Sequence, residues 1–154
     1  MTNVNEKTAE ILNDLIRINN DRIEGYERAA KETSDKDADL RSLFTSMASE
    51  SRQYLSQLTP YVARGGEEPA DGTTVSGKIY RAWMDVKAAF TGKDRKAILA
   101  SCEFGEDAAQ KAYNTALESD ADLSPEVRQL IMDQKTKLKK SHDQIKAMRD
   151  AQPA

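Results

Sequence analysis

Cysteine and histidine are almost missing from this chain, which has Cys102 and His142 as its single examples among 154 residues. A lone cysteine excludes a disulfide framework and any cysteine-rich zinc site. A lone histidine excludes multi-histidine metal centres and argues against a histidine-based catalytic triad. Aromatic residues make up only 6% of the chain, and no apolar run approaches the ~20 residues that a membrane span requires. The net charge of −3 excludes a broadly basic surface of the kind that binds nucleic acid without sequence preference. No Walker-type loop, dinucleotide fingerprint or Gly-x-Ser-x-Gly elbow is present. The opening MTNVNEKTAE is polar, so the sequence predicts no signal peptide and a cytoplasmic location.

What is present is charge and helical periodicity: 32% of residues are charged and 38% are hydrophobic. At this length one domain, residues 1–154, is expected, with a core large enough to order it. Four long stretches carry apolar residues at helical spacing, and none alternates in the manner of a strand. The first, residues 5–32, has Leu12, Leu15, Ile16, Ile23, Tyr26 and Ala30 on one stripe. The second, residues 37–63, has Leu40, Phe44, Met47, Tyr54, Leu58 and Val62, with Pro60 placed to kink or end it. The third, residues 93–118, has Leu99, Cys102, Ala109, Tyr113 and Leu117. The fourth starts at Ser124-Pro125-Glu126, a capping serine followed by proline at the first helical position, and runs through Leu138 to Met148.

Short links at 33–36 and 119–123 predict antiparallel neighbours within each half. Residues 64–92 are different, being glycine-rich with Pro69 and then Ile79, Trp83, Val86 and Phe90 at helical spacing. A connection of that length can cross a bundle from end to end. The prediction is therefore an all-α four-helix bundle with one long crossover between helices 2 and 3 that carries a short extra helix. That segment, residues 78–90, is expected to dock through Trp83 because its apolar face is too large to leave in water.

Polar residues interrupt each stripe near its middle: Asn19, Ser51, Glu106 and Gln134 stand at or near the stripe centres, with Ser141 following in the fourth helix. Buried polar groups must be hydrogen-bonded, so these positions predict one polar core layer. Glu106 needs a partner or a proton. Its candidate donors are Asn19, Gln134, the hydroxyls of Tyr26, Tyr54 or Tyr113, and Arg22 on the stripe's flank. Gly25 and Gly105 sit inside helices, where each costs about 1 kcal/mol against alanine, and they predict close approach of helices 1 and 3. Cys102 reads as a small buried thiol. His142, beside Lys139 and Lys140, reads as a histidine on a solvated helix face. Lys135, Lys137, Lys139, Lys140 and Lys146 make helix 4 locally basic, again as a solvated face.

Gly25-Tyr26 in helix 1, with Leu12, Asn13, Leu15, Ile16, Asp21, Ala29 and Ala30, carries one part of a family pattern. Helix 3 carries another in Glu103, Gly105, Glu106, Asp107, Ala108, Tyr113, Ala116 and Leu117. Between them stands Tyr80-Arg81-Ala82-Trp83, with tyrosine where the family often has histidine. In order and spacing, residues 4–149 resemble a bacterial ferritin-like four-helix-bundle family, domain of unknown function 2383. The resemblance implies a ferritin-like bundle and brings no established activity.

Ferritin-like di-iron proteins place a glutamate on each of two helices and Glu-x-x-His on the other two. Here helix 3 offers Glu106 and Glu103, and helix 1 offers Glu27 at the stripe's edge with Asn19 at its centre. Helix 2 has Glu50-Ser51-Arg52-Gln53, and helix 4 has Lys139 three residues before His142. The set is broken on most helices. The leading expectation is a non-enzymatic binding or structural bundle, self-associating and stress-related, with no catalytic residue or resident cofactor. The alternative is a metal-binding oxidoreductase holding iron or manganese on Glu27, Glu50, Glu103 and Glu106. A third reading is a nucleic-acid-associated stress protein acting through the lysines of helix 4.

Overall fold

A computed structural model of the chain describes residues 6–33, 35–70, 95–119 and 123–152. Four helices account for nearly all of them: α1 (Glu6–Glu32), α2 (Ala38–Arg64), α3 (Arg95–Glu118) and α4 (Pro125–Asp150). A 3-10 turn, Asp35–Asp37, leads into α2. No strand occurs among the described residues. The expected short helix at 78–90, its docking through Trp83 and most of the 64–92 crossover lie outside the described residues.

Local chemistry explains the helix ends. Ser124, in an extended conformation, accepts a hydrogen bond from the Val127 amide at 3.2 Å, and Pro125 follows where its missing N–H costs nothing. At the start of α2, Asp37 makes no side-chain capping bond. Its carboxylate instead pairs with Arg95 at 2.9 Å, and Asp39 pairs with the same guanidinium at 2.6 Å. That contact joins the first turns of α2 and α3. α2 runs through Pro60 to Arg64. Pro60 and Ser56 are both on the exposed side, so the carbonyl that loses its intrahelical donor faces water. The helix closes with a Schellman motif in which Gly66 donates to Ala63 O at 3.1 Å and Glu67 to Val62 O at 3.3 Å. That closure puts Gly66 at φ 79°, a left-handed conformation that glycine adopts without strain.

Side-chain contacts fix the helix directions. Rising through Asn19, Arg22 and Tyr26 on α1 means falling from Tyr113 to Glu106 on α3, so these two are antiparallel. α1 meets α2 head to tail as well, with Arg22 on Met47 and Arg41 on Ala30 and Thr33. Gln110 reaches the Lys135 carbonyl and Tyr113 reaches Gln134, so α3 and α4 are also antiparallel. It follows that α2 and α3 run the same way on one diagonal of an all-α four-helix bundle.

The core fills the space between the four stripes. Leu12, Leu15, Ile16, Phe44, Leu58, Leu99, Ile131 and Leu138 are all essentially inaccessible. Tyr26 packs its ring against Phe44 at a centroid separation of 5.6 Å. α1 is buried beyond its stripe, since Ile18, Asp21 and Gly25 are covered too. Asn13, also off the stripe, clasps the chain that leaves α2: its amide donates to Glu68 O at 3.0 Å, and its carbonyl accepts from the Ala70 amide at 2.8 Å.

Candidate functional site

The polar residues at mid-helix form one connected layer. α1 contributes Asn19, Arg22 and Tyr26, spaced so that all three project toward the bundle axis. At the centre, Arg22 Nε donates to Glu106 Oε1 at 2.6 Å, and the Tyr26 hydroxyl donates to the same oxygen at 2.8 Å. Arg22 Nη1 donates to Ser51 Oγ at 2.8 Å and to the Met47 carbonyl at 3.1 Å. Its Nη2 lies 3.2 Å from Glu50 Oε1. The guanidinium therefore bridges α1, α2 and α3, and its Cζ also lies 5.2 Å from the Tyr26 ring centroid.

From Arg22 the bonds run head to tail through the layer. Ser51 donates to Asn19 Oδ1 at 2.9 Å, Asn19 Nδ2 donates to the Tyr113 hydroxyl at 2.8 Å, and Tyr113 donates to Gln134 Oε1 at 2.7 Å. Gln134 then donates to Gln57 Oε1 at 3.0 Å. Each hydroxyl accepts one bond and donates the next, an arrangement in which neighbouring bonds polarise one another. Asn19, Ser51, Glu106 and Gln134 are all buried members of this network. Ser141 joins it at one side by donating to Glu50 Oε1 at 2.9 Å.

Arg22 is the residue that sequence reasoning placed on the flank and the structure places at the centre. It falls in the same spacing series as Asn19 and Tyr26, and a buried glutamate calls for a cation; together those two signals point to it. Burial pulls its guanidinium down, but Glu106, Tyr26 and Glu50 outweigh that and hold it above its ordinary value, firmly charged. Tyr26 is pushed well up by burial and then by Glu106 beside it. Burial, reinforced by Glu106, does the same to the Cys102 thiol, which is buried, neutral and correspondingly unreactive. Glu106 carries both of its hydrogen bonds on Oε1, while Oε2 is buried and makes none.

The four glutamates named as a metal set are not brought together. Glu27 sits in solvent, paired with Arg52 at 2.8 Å across to α2. Glu50 and Glu106 both lean on Arg22, and Glu103 turns away toward Arg149 and His142 on α4. Among the described residues, no three of these four offer ligand atoms close enough to share an ion. The centre of the bundle does not fit a di-metal group, because a guanidinium takes up the carboxylates. His142 departs from the expected solvated face: its side chain is 16% exposed and faces acidic residues on α3. Lys137, Lys139, Lys140 and Lys146 are exposed, and Lys139 pairs with Asp143 on its own helix at 2.8 Å.

Between α2 and α4 the seam opens into a polar groove of about 280 Å³, lined by Glu50, Gln53, Gln57, Lys137, Lys140 and Gln144 among others. Glu50 links this groove to Arg22. A small polar molecule would meet both a carboxylate and ammonium groups there.

Fold and site together define a four-helix bundle centred on a buried arginine–glutamate pair. The family model described as Domain of unknown function (DUF2383) matches residues 7–119, and the chain belongs to that family. The match ends just beyond α3, so α4, with Gln134, Ser141 and His142, lies past it. No curated protein matches the chain. No helix among the described residues is long and apolar enough to cross a membrane.

Proposed function

We propose that this protein is a non-enzymatic ferritin-like bundle with a binding or structural role, in which Arg22 supplies the internal cation. The observation that carries this reading is the guanidinium of Arg22, which engages Glu106, Glu50, Ser51 and the Met47 carbonyl where a central metal group would need those same carboxylates. Nothing in the layer is poised for proton or group transfer. Its tyrosines and cysteine are held neutral, and the hydroxyls and amides of Ser51, Asn19, Tyr113 and Gln134 hydrogen-bond to one another. The α2–α4 groove supports the binding half of the reading. Self-association and a cytoplasmic location belong to the same proposal, and sedimentation of the purified protein tests the former.

Aerobic addition of ferrous iron to protein purified without chelator tests the central claim. No oxo-bridged absorbance should develop, and whatever iron binds should be indifferent to Glu106→Gln. Stoichiometric iron with an oxo-bridge band that Glu106→Gln abolishes would establish the oxidoreductase reading instead.

A further inference from the structure

Glu103 and Asp107 stand four residues apart on α3, hence on one face of it. The link between α3 and α4 is short in sequence, so residues equally far from it pair, as Gln110 with Lys135 and Tyr113 with Gln134 demonstrate. The same register brings His142 opposite Glu103 and Asp107. His142 Nε2 lies 2.6 Å from Asp107 Oδ1 and 3.7 Å from Glu103 Oε1, and one ligand atom from each of the three residues falls within 4.8 Å of the others. We infer that these three residues form a site for a divalent transition-metal ion, separate from the central layer and stapling α3 to α4.

The histidine supplies an independent argument. Its other ring nitrogen, Nδ1, lies 3.0 Å from Asp143 Oδ1, so both nitrogens face carboxylate oxygens. A neutral imidazole has only one N–H. When Asp143 takes the Nδ1 hydrogen, Nε2 is left directed at the carboxylates of Asp107 and Glu103 and available as a ligand atom. Asp143 thus fixes one edge of the ring and turns Nε2 toward α3. Arg149 binds Glu103 Oε2 and leaves Oε1 turned toward His142.

Bond lengths of 2.0–2.2 Å in a tetrahedral zinc site place ligand atoms roughly 3.3–3.6 Å apart. The two observed separations straddle that value, and the Asp107 side chain, 53% exposed, has room to adjust. An imidazole nitrogen with two carboxylate oxygens suits zinc and its first-row neighbours, whereas calcium and magnesium favour oxygen alone. Asp107 supplies a carboxylate charge, and Glu103 a second that it shares with Arg149. Three protein ligands leave a coordination position for water.

Zinc titration of chelator-stripped protein, followed by calorimetry and thermal melts, decides the matter. The wild type should take up a single equivalent and melt at a higher temperature with zinc than without. Asp107→Asn and His142→Ala should each weaken zinc binding by about tenfold or more, as loss of a ligand does. Asp107 is exposed, so that variant tests the site without threatening the fold. Glu27→Gln, at an exposed carboxylate outside both this site and the central layer, should bind zinc like the wild type, and the ferrous-iron test of the central layer reads a different set of residues. No saturable binding by the wild type, or a smaller loss in either ligand variant, would mean that a proton rather than a metal stands between the three side chains and would overturn the inference.

Discussion

At the scale of single residues, Arg22 and Glu106 dominate. Each is buried to within a percent or so, and each compensates the other's charge. Removing one partner of such a pair leaves an uncompensated ion in the core, which costs about 3–5 kcal/mol, whereas replacing both with apolar residues can be neutral. Glu106→Leu and Arg22→Met should therefore each be strongly destabilising, with the double variant milder than the worse single. A double-mutant cycle by urea denaturation measures this, and additive losses would mean that the two residues do not act as a pair. Alkali provides a second residue-scale test. Tyr26, Tyr113 and Cys102 are all pushed up, in each case chiefly by burial. In the unfolded chain they release protons near pH 9–10, while in the folded protein they keep them. Their contribution is therefore complete at neutral pH and is lost as pH rises past the unfolded values, at roughly 1.4 kcal/mol per pH unit for each group. Urea midpoints should fall steeply above about pH 10, and Tyr26→Phe should flatten that fall.

At the scale of elements, the helix ends are held by distinct devices. Gly66 has a φ of 79° and open space where a Cβ would lie, so Gly66→Ala should cost about 1–2 kcal/mol from backbone strain alone. Ser124→Ala removes the bond to the Val127 amide and should cost about 1 kcal/mol. Melting temperatures of the two variants check both figures, and a neutral Gly66→Ala would mean that the Schellman closure relaxes without loss. The arginine at the start of α3 acts differently. Arg95 is partly exposed, so its pairs with Asp37 and Asp39 add well under the value of a buried bridge and serve to align two helix starts.

At the scale of the whole molecule, the polar layer couples the two antiparallel halves. α1 with α2 and α3 with α4 would otherwise meet mainly through apolar packing, which specifies relative height loosely. The chain of bonds from Glu106 through Arg22, Ser51, Asn19 and Tyr113 to Gln134 spans all four helices and admits one register. A single cooperative unfolding transition is expected, with far-ultraviolet circular dichroism and tyrosine signals coincident. Separate transitions would show that the halves unfold independently and that the layer does not bind them together.

The amino-acid sequence by itself determined the helices, because apolar spacing, the Ser124-Pro125 start and the shortness of two links act locally. It also pointed Asn19, Ser51, Glu106 and Gln134 inward, since they stand on the stripes that must be buried, but not Arg22, Asp21 or Asn13, which lie off them. Only the tertiary structure decided what those residues do. Glu106 had six candidate donors, and choosing Arg22 and Tyr26 required the relative height of α1 and α3, which no local pattern encodes. Arg22 lies on a flank when its helix is viewed alone and at the centre once three other helices surround it. His142 changed for the same reason: its neighbours in sequence are lysines, whereas the register of α4 against α3 brings Glu103 and Asp107 to its ring. Helical periodicity is a property of one segment, but partnership among charges is a property of the packed bundle.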